Sequence, residues 1–271
     1  MPIEILKPDA DNIPYHGQQI VAPDAFVRKL PQVVSVKQRL AWDALVMACD
    51  IMADAYRRIR NAAIARGLAF DGLEELEIAP SIGCCWMIID QLHAVRQLMP
   101  FLANMNPPLG PLCQAFIDKS ATTFAMRNKM DHLKDNIGNL SAMKGPRSPL
   151  FGSLSYFHIS EAKNETGHSI VLYSGALIEE TRVPIVNPAE KTFVVPVGLF
   201  KFSAFGLDLF FEPALSALHD WISAVTPDIE DQVRTQAARY AIEHGLNLNE
   251  LMASARGAFA VAAVIGPAPN E

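Results

Sequence analysis

Charge is scarce in this chain. Only 19% of its 271 residues are Asp, Glu, Lys or Arg, and the formal net charge is -6. That mild acidity, with a pI near 5.7, excludes a protein that coats DNA or anionic membrane through its overall field. Cysteine is scarce as well. Cys49, Cys84, Cys85 and Cys113 form no CxxC pair and keep no regular spacing, which excludes a cystine scaffold. Set in helix-patterned apolar surroundings, they read as reduced core thiols of a cytoplasmic protein, the adjacent Cys84–Cys85 pair included. The start, MPIEILKPDADN, carries acids and proline where a secretory leader needs basic residues and an apolar run. The longest apolar stretch near an end, 258–265, is far shorter than the ~20 residues of a membrane span, so no membrane partner is expected. Phosphate-binding loops, dinucleotide fingerprints and nucleophile elbows do not occur, and no cofactor is expected.

What the chain has is apolar residues, half of the total, in two periodicities. Residues 1–35 hold Pro2, Pro8, Pro14, Pro23 and Pro31, too many for an early helix, and read as an arm lying on the surface. From Ser35, Leu40, Ala44, Met47, Ile51, Ala55, Ile59 and Ala62 recur at three and four residues, predicting one helix to Arg66, closed by Gly67. A second helix is predicted from Pro80 to before Asn106-Pro107-Pro108, and a third from about Pro111 to Ile137, capped by Gly138. Short connections make these an up-and-down bundle over 36–140. The period then drops to two. Leu154–Ser160, Ser169–Ile178 and Thr192–Val197 predict a three-stranded antiparallel meander within an insertion at 150–206. Helical spacing returns over 207–265, with Pro213 opening one helix, Thr226-Pro227 capping the next and a last one from about Asn249 to Ile265. The expected fold is a single α+β domain: a long-helix bundle with an inserted sheet.

One segment of the third helix carries a coherent chemistry. In Ala125-Met126-Arg127-Asn128-Lys129-Met130-Asp131-His132, a permanently charged guanidinium stands five residues before an imidazole. Metal-independent RNA cleavage needs such a pair: a base for the 2'-hydroxyl proton and a cation for charge building on phosphorus. His132 would be the base or acid, Arg127 the phosphate clamp, and Asn128 would orient one of them. Five residues turn a helix by about 140° from one to the other, so the pair needs a dimer or a distorted helix end to share a site. The segment 119–147 holds six basic groups against Asp131 and Asp135, so the acidity lies elsewhere and local phosphate contact is open. The plainer reading pairs Arg127 with Asp131 one turn on. Arg239 and His244 repeat the spacing without a polar residue after the arginine, so spacing alone selects nothing.

Arg127-Asn128 followed by His132 resembles the RxxxxH signature of the HEPN superfamily, helical-bundle proteins many of which are metal-independent, dimeric ribonucleases or toxins. The resemblance spans about 36–140 and the helix near 213–225; the meander lies outside it. The chain also resembles a class of uncharacterised bacterial proteins with an RN…H segment and a β insertion. The HEPN resemblance implies a homodimer, RNA or a protein as partner, and site residues Arg127, Asn128 and His132. Two functions follow: a non-catalytic bundle for assembly or for binding a protein or small ligand, or a metal-independent ribonuclease. No metal is expected. Asp90 and His93 form half of a di-iron pattern with no second half, and His158, Glu161, Glu165 and His168 read as a solvated hairpin loop.

Overall fold

The structure is a computed structural model that describes residues 15–67, 78–102, 110–142, 149–160, 166–174, 186–187, 192–193 and 198–253. Its elements are α1 (Val36–Gly67), α2 (Ile78–Leu102), α3 (Pro111–Lys119), α4 (Thr122–Asp131), α5 (Leu133–Ala142), β1 (Ser153–Ser160), β2 (Thr166–Tyr173), β3 (Val186–Asn187), β4 (Thr192–Phe193), β5 (Phe200–Ala204), β6 (Leu207–Phe210), α6 (Phe211–His244) and α7 (Leu248–Leu251). The fold is α+β, a helical bundle carrying a small antiparallel sheet.

Helix α1 begins where expected, because Ser35 and Gln38 close its first turn: the Gln38 N–H donates to Ser35 Oγ. It pairs antiparallel with α2, whose far end lies at the start of α1, with Lys37 Nζ 5.0 Å from the Phe101 ring. By length and composition α2 passes as a membrane-crossing helix. Here Ile82, Cys85, Ile88, Ile89, Leu92 and Val95 are buried in the core, which accounts for its apolar character. Pro80 is tolerated in its first turn, where no intrahelical N–H bond is lost.

Residues 15–35 are not a surface arm. Tyr15, Ile20, Val21 and Val27 are buried, and Arg28 fastens the segment to α1 through a bidentate pair with Asp50 at 2.7 and 2.8 Å. Arg28 also donates to the Val21 and Ala22 carbonyls. The prolines prevent a helix but leave the apolar residues between them free to enter the core.

The predicted third helix is broken into α3, α4 and α5. At the first break Ser120 Oγ donates back to the Phe116 carbonyl at 2.6 Å, and Arg96 from α2 donates to the Ile117 carbonyl and to Ser120 Oγ. Such back-bonding and an outside donor on a helical carbonyl both bend a helix. The second break falls at His132, where Asn136 Nδ2 donates to the Lys129 and His132 carbonyls. Because α5 restarts at Leu133, Gly138 lies inside it and is not a cap.

The sheet has four strands in the order β2-β1-β5-β6, all antiparallel. Its third strand is Phe200–Ala204 rather than Thr192–Val197; Thr192–Phe193 pairs separately with Val186–Asn187. β6 follows a two-residue turn in which Phe205 (φ 55°) and Gly206 (φ 76°) both adopt positive φ, the geometry a tight hairpin requires. The sheet therefore runs to Phe210, past the expected boundary at 206. Phe200, Phe202 and Ala204 face inward at period two.

At the C-terminal side, α6 is one helix of 34 residues rather than two. Thr226 donates to the Ile222 carbonyl at 2.8 Å instead of capping. Pro227 inside a helix costs about 3 kcal/mol. Burial of Ile222, Val225, Ile229 and Val233 on one continuous stripe outweighs it. α7 covers only Leu248–Leu251, and the rest of the predicted last helix, from 254 on, lies outside the described residues. So do the Asn106-Pro107-Pro108 stop and residues Glu161 and Glu165.

All four cysteines are free and buried. Burial pushes every thiol up, Cys113 to about 11, so thiolate, the reactive form, is suppressed. Treating the native protein with a thiol-specific colorimetric reagent is expected to label none rapidly and all four after denaturation. Rapid native labelling of Cys84 or Cys85 would show that this pair is accessible and reactive rather than buried core.

Candidate functional site

Arg127 and Asn128 lie inside α4, and His132 is the residue that ends it. α4 lies against α2, and Thr123 and Met126 supply its buried side. Arg127, the next residue round, emerges at the α2–α4 seam. There it meets Asp131 on its own helix and, on α2, Asp90, whose Oδ1 is 2.9 Å from Arg127 Nε. The approach to Asp90 is off the N–H axis and makes an ion pair rather than an aligned hydrogen bond. The pairs are half-exposed, with side-chain exposures of 36% for Arg127, 44% for Asp90 and 55% for Asp131, so each is worth under about 1 kcal/mol.

Asp90 and His93 stand one turn apart on α2 and share this seam. Partial burial raises the Asp90 carboxyl above its ordinary range, with Arg127 opposing the shift and Asp131 reinforcing it. His93 stacks obliquely near Phe124, ring centroids 5.8 Å apart, and its buried Nδ1 has no hydrogen-bond partner among the described residues. The position beside Asp90 that a di-iron pattern would give to a metal holds the Arg127 guanidinium. Among the described residues no three metal-ligating side chains come together.

His132 is the residue at which α4 ends (φ −101°, ψ 39°), its N–H donating to the Asn128 carbonyl at 3.2 Å. The ring is exposed and has no partner among the described residues. Asn128 is also exposed and contributes only that backbone carbonyl. Next to it, Lys129 donates to the Phe205 carbonyl at 2.9 Å, joining α4 to the β5–β6 turn. The sequence thus names the three residues, but not that Arg127 shares its charge with two carboxylates. His158 and His168 occupy directly opposed backbone positions across the β1–β2 hairpin. The second RxxxxH segment is spent locally, His244 Nδ1 donating to the Tyr240 carbonyl (3.0 Å) and its ring stacking on that of Tyr240.

Among the described residues, the most perturbed carboxyl is one that the sequence does not point to. Glu212, in the first turn of α6, is 1% exposed. The Phe200 N–H donates to both its oxygens at 3.0 and 2.9 Å. Tyr56 Oη lies 2.7 Å from Oε1 and 2.9 Å from the Tyr15 carbonyl oxygen. Desolvation pushes the carboxyl up to about 8, against the pull of these donors and of Arg60. Tyr56 Oη donates to Glu212 Oε1 and lies within hydrogen-bond reach of the Tyr15 carbonyl oxygen, so phenol, carboxyl and the two backbone groups form one buried network. The nearest crevice, lined by Ile59, Tyr156, Leu172 and Phe200 among others, has only about 10 Å³ of room. That admits one water at most, so the cluster is a buried structural network and not a ligand site. Its signal in the sequence was a single acid in the apolar run Leu209-Phe210-Phe211-Glu212-Pro213-Ala214-Leu215.

Comparison with family models, with curated proteins and with solved structures finds no match for this chain.

Proposed function

We propose that the chain is a non-catalytic, HEPN-like helical bundle that works through assembly or through binding a protein or small ligand. The observation that carries this reading is the engagement of Arg127 by both Asp90 and Asp131. One cation between two carboxylates leaves the seam with a net charge of about −1 when both acids are ionised, a poor clamp for a phosphodiester. A homodimer in a reducing, cytoplasmic setting goes with this reading, and the four free buried thiols support that setting.

The second reading is a metal-independent ribonuclease in which Arg127 clamps phosphate, Asn128 orients it and His132 moves the proton. It draws support from the exposed, unpartnered His132 ring at a helix break, the distorted helix end that the spacing requires. One experiment separates the two. Purified protein is incubated with mixed-sequence RNA in EDTA beside His132→Ala and Arg127→Ala. The first reading expects intact RNA throughout and stabilities within about 1 kcal/mol of wild type, since both side chains are at least partly exposed. EDTA-resistant cleavage that vanishes in His132→Ala would replace it with the second.

A further inference from the structure

Helix α1 carries two apolar seams, and among the described residues one of them is packed into the core. Trp42, Leu45, Cys49, Met52, Tyr56 and Ile59 are buried against the rest of the molecule. On the opposite side, Lys37, Leu40, Ala44, Met47, Ile51 and Asp54 follow one another at intervals of 3, 4, 3, 4 and 3 residues, the spacing of a coiled-coil seam. Leu40 is 63% and Met47 54% exposed; Lys37 and Ala44 are exposed, and Ile51 and Asp54 half-buried. Exposed Val36 and Phe101 widen the patch at one end. No polar side chain interrupts the four central positions, whereas an ordinary solvent face of a helix would carry charge there.

The seam is self-complementary in one orientation. With two copies of α1 antiparallel about a two-fold axis between Leu45 and Val46, Leu40 faces the partner's Ile51 and Ala44 faces the partner's Met47. Lys37 faces the partner's Asp54, and symmetry repeats each pair on the other side. Large meets small in the middle, four apolar layers result, and an opposite-charge pair closes each end. Asp54 holds Arg58 at 2.7 Å through Oδ2 and pairs with Arg57 at 3.6 Å through Oδ1; a carboxylate oxygen has a second lone pair for a further donor. A parallel pairing sets Lys37 against lysine and Asp54 against aspartate, which like-charge repulsion disfavours.

We infer that the outer face of α1, from Lys37 to Asp54, docks a second copy of this chain as an antiparallel helix pair with isologous symmetry. The inference rests on the assembly reading above and names its surface. It is tested on the full chain by sedimentation-equilibrium ultracentrifugation. Wild type is expected to be dimeric. Met47→Glu, which places a charge in two layers at once, is expected to weaken the dimer at least about 100-fold with an unchanged circular-dichroism spectrum, because the site is exposed in the single copy. Lys37→Asp and Asp54→Lys each create two like-charge ends and are expected to weaken it about tenfold. An equimolar mixture of those two variants restores both ends and is expected to recover dimer formation to within about threefold of wild type. A monomeric wild type, a dimer indifferent to Met47→Glu, or a mixture no better than its components would each overturn the inference. Cleavage of RNA in EDTA sinks the non-catalytic reading by a separate readout and leaves the sedimentation result to stand or fall alone.

Discussion

Stability is expected to fall as pH rises from about 5 to 8, and the fall is expected to flatten in Glu212→Gln. The carboxyl titrates near 4.5 when unfolded and near 8 in the fold. Between those values the folded chain keeps a proton that the unfolded chain has released. Protons bound are then fewer in the unfolded state, so the slope of stability against pH is negative. The stabilisation is complete below about 4.5 and is lost as pH climbs through 8. Each pH unit between the two values is worth about 1.4 kcal/mol, so the loss across the window is on the order of several kcal/mol, a large fraction of the ~5–15 kcal/mol typical of a domain. The physical origin is burial: ionised, Glu212 has two donors and the nearby Arg60, but no ion pair to offset desolvation. Glutamine keeps the size without the titration. Glu212→Ala instead strands the Phe200 N–H and opens a cavity, and about 3–5 kcal/mol of destabilisation at pH 6 is expected. Urea unfolding followed by circular dichroism at pH 5, 6, 7 and 8 reads both effects. An identical slope in wild type and Glu212→Gln would show that the carboxyl is not the titrating group.

The second large effect is expected where the sheet meets the helices. Gly152 has φ +91°, and a Cβ there would lie 2.5 Å from Phe202 Cζ and 2.9 Å from the Ser203 carbonyl oxygen. Gly152→Ala thus combines left-handed strain with overpacking and is expected to lose about 2–4 kcal/mol. Phe202 is fully buried, edge-on to Trp86 with centroids 5.5 Å apart and stacked near Phe211 at 6.2 Å. Its replacement by alanine is expected to cost about 3–5 kcal/mol. The double variant should lose less than the sum, by about 1 kcal/mol or more, because removing the ring vacates the space the new methyl group needs. The backbone strain and the Ser203 clash remain. Full additivity in thermal or urea unfolding would mean that ring and methyl group never compete for that space.

Some of this architecture was legible. The start of α1 follows from a local rule, a Ser-x-x-Gln turn that needs no distant partner. The breaks in the third helix were not legible, because Arg96, 24 residues before Ser120, supplies the donor that bends the helix there. Thr226-Pro227 has the form of a helix start, and only the buried stripe from Ile222 to Val233 overrules it. The hairpin at Phe205-Gly206 was missed because phenylalanine is an unusual choice for a positive-φ turn position. Its glycine and the alternating Phe200, Phe202 and Ala204 were nevertheless in view.

For the candidate site the division is similar. Arg127, Asn128 and His132 were identifiable as residue types whose spacing fits phosphate chemistry, and Asp131 as a partner one turn away. Asp90 was also visible, on another helix and for another reason; only packing brings it to Arg127 and halves what that cation can offer. The sequence by itself determined the class of fold, the long helices, the buried thiols and one apolar seam of α1, because periodicity and composition act over a few turns of chain. Tertiary structure alone decided where the third helix bends, which carboxylates share Arg127, and that burial pushes the Glu212 carboxyl up. Desolvation and ion pairing depend on what lies within a few ångströms in space, and those neighbours come from 37 residues away for Asp90 and 156 for Tyr56.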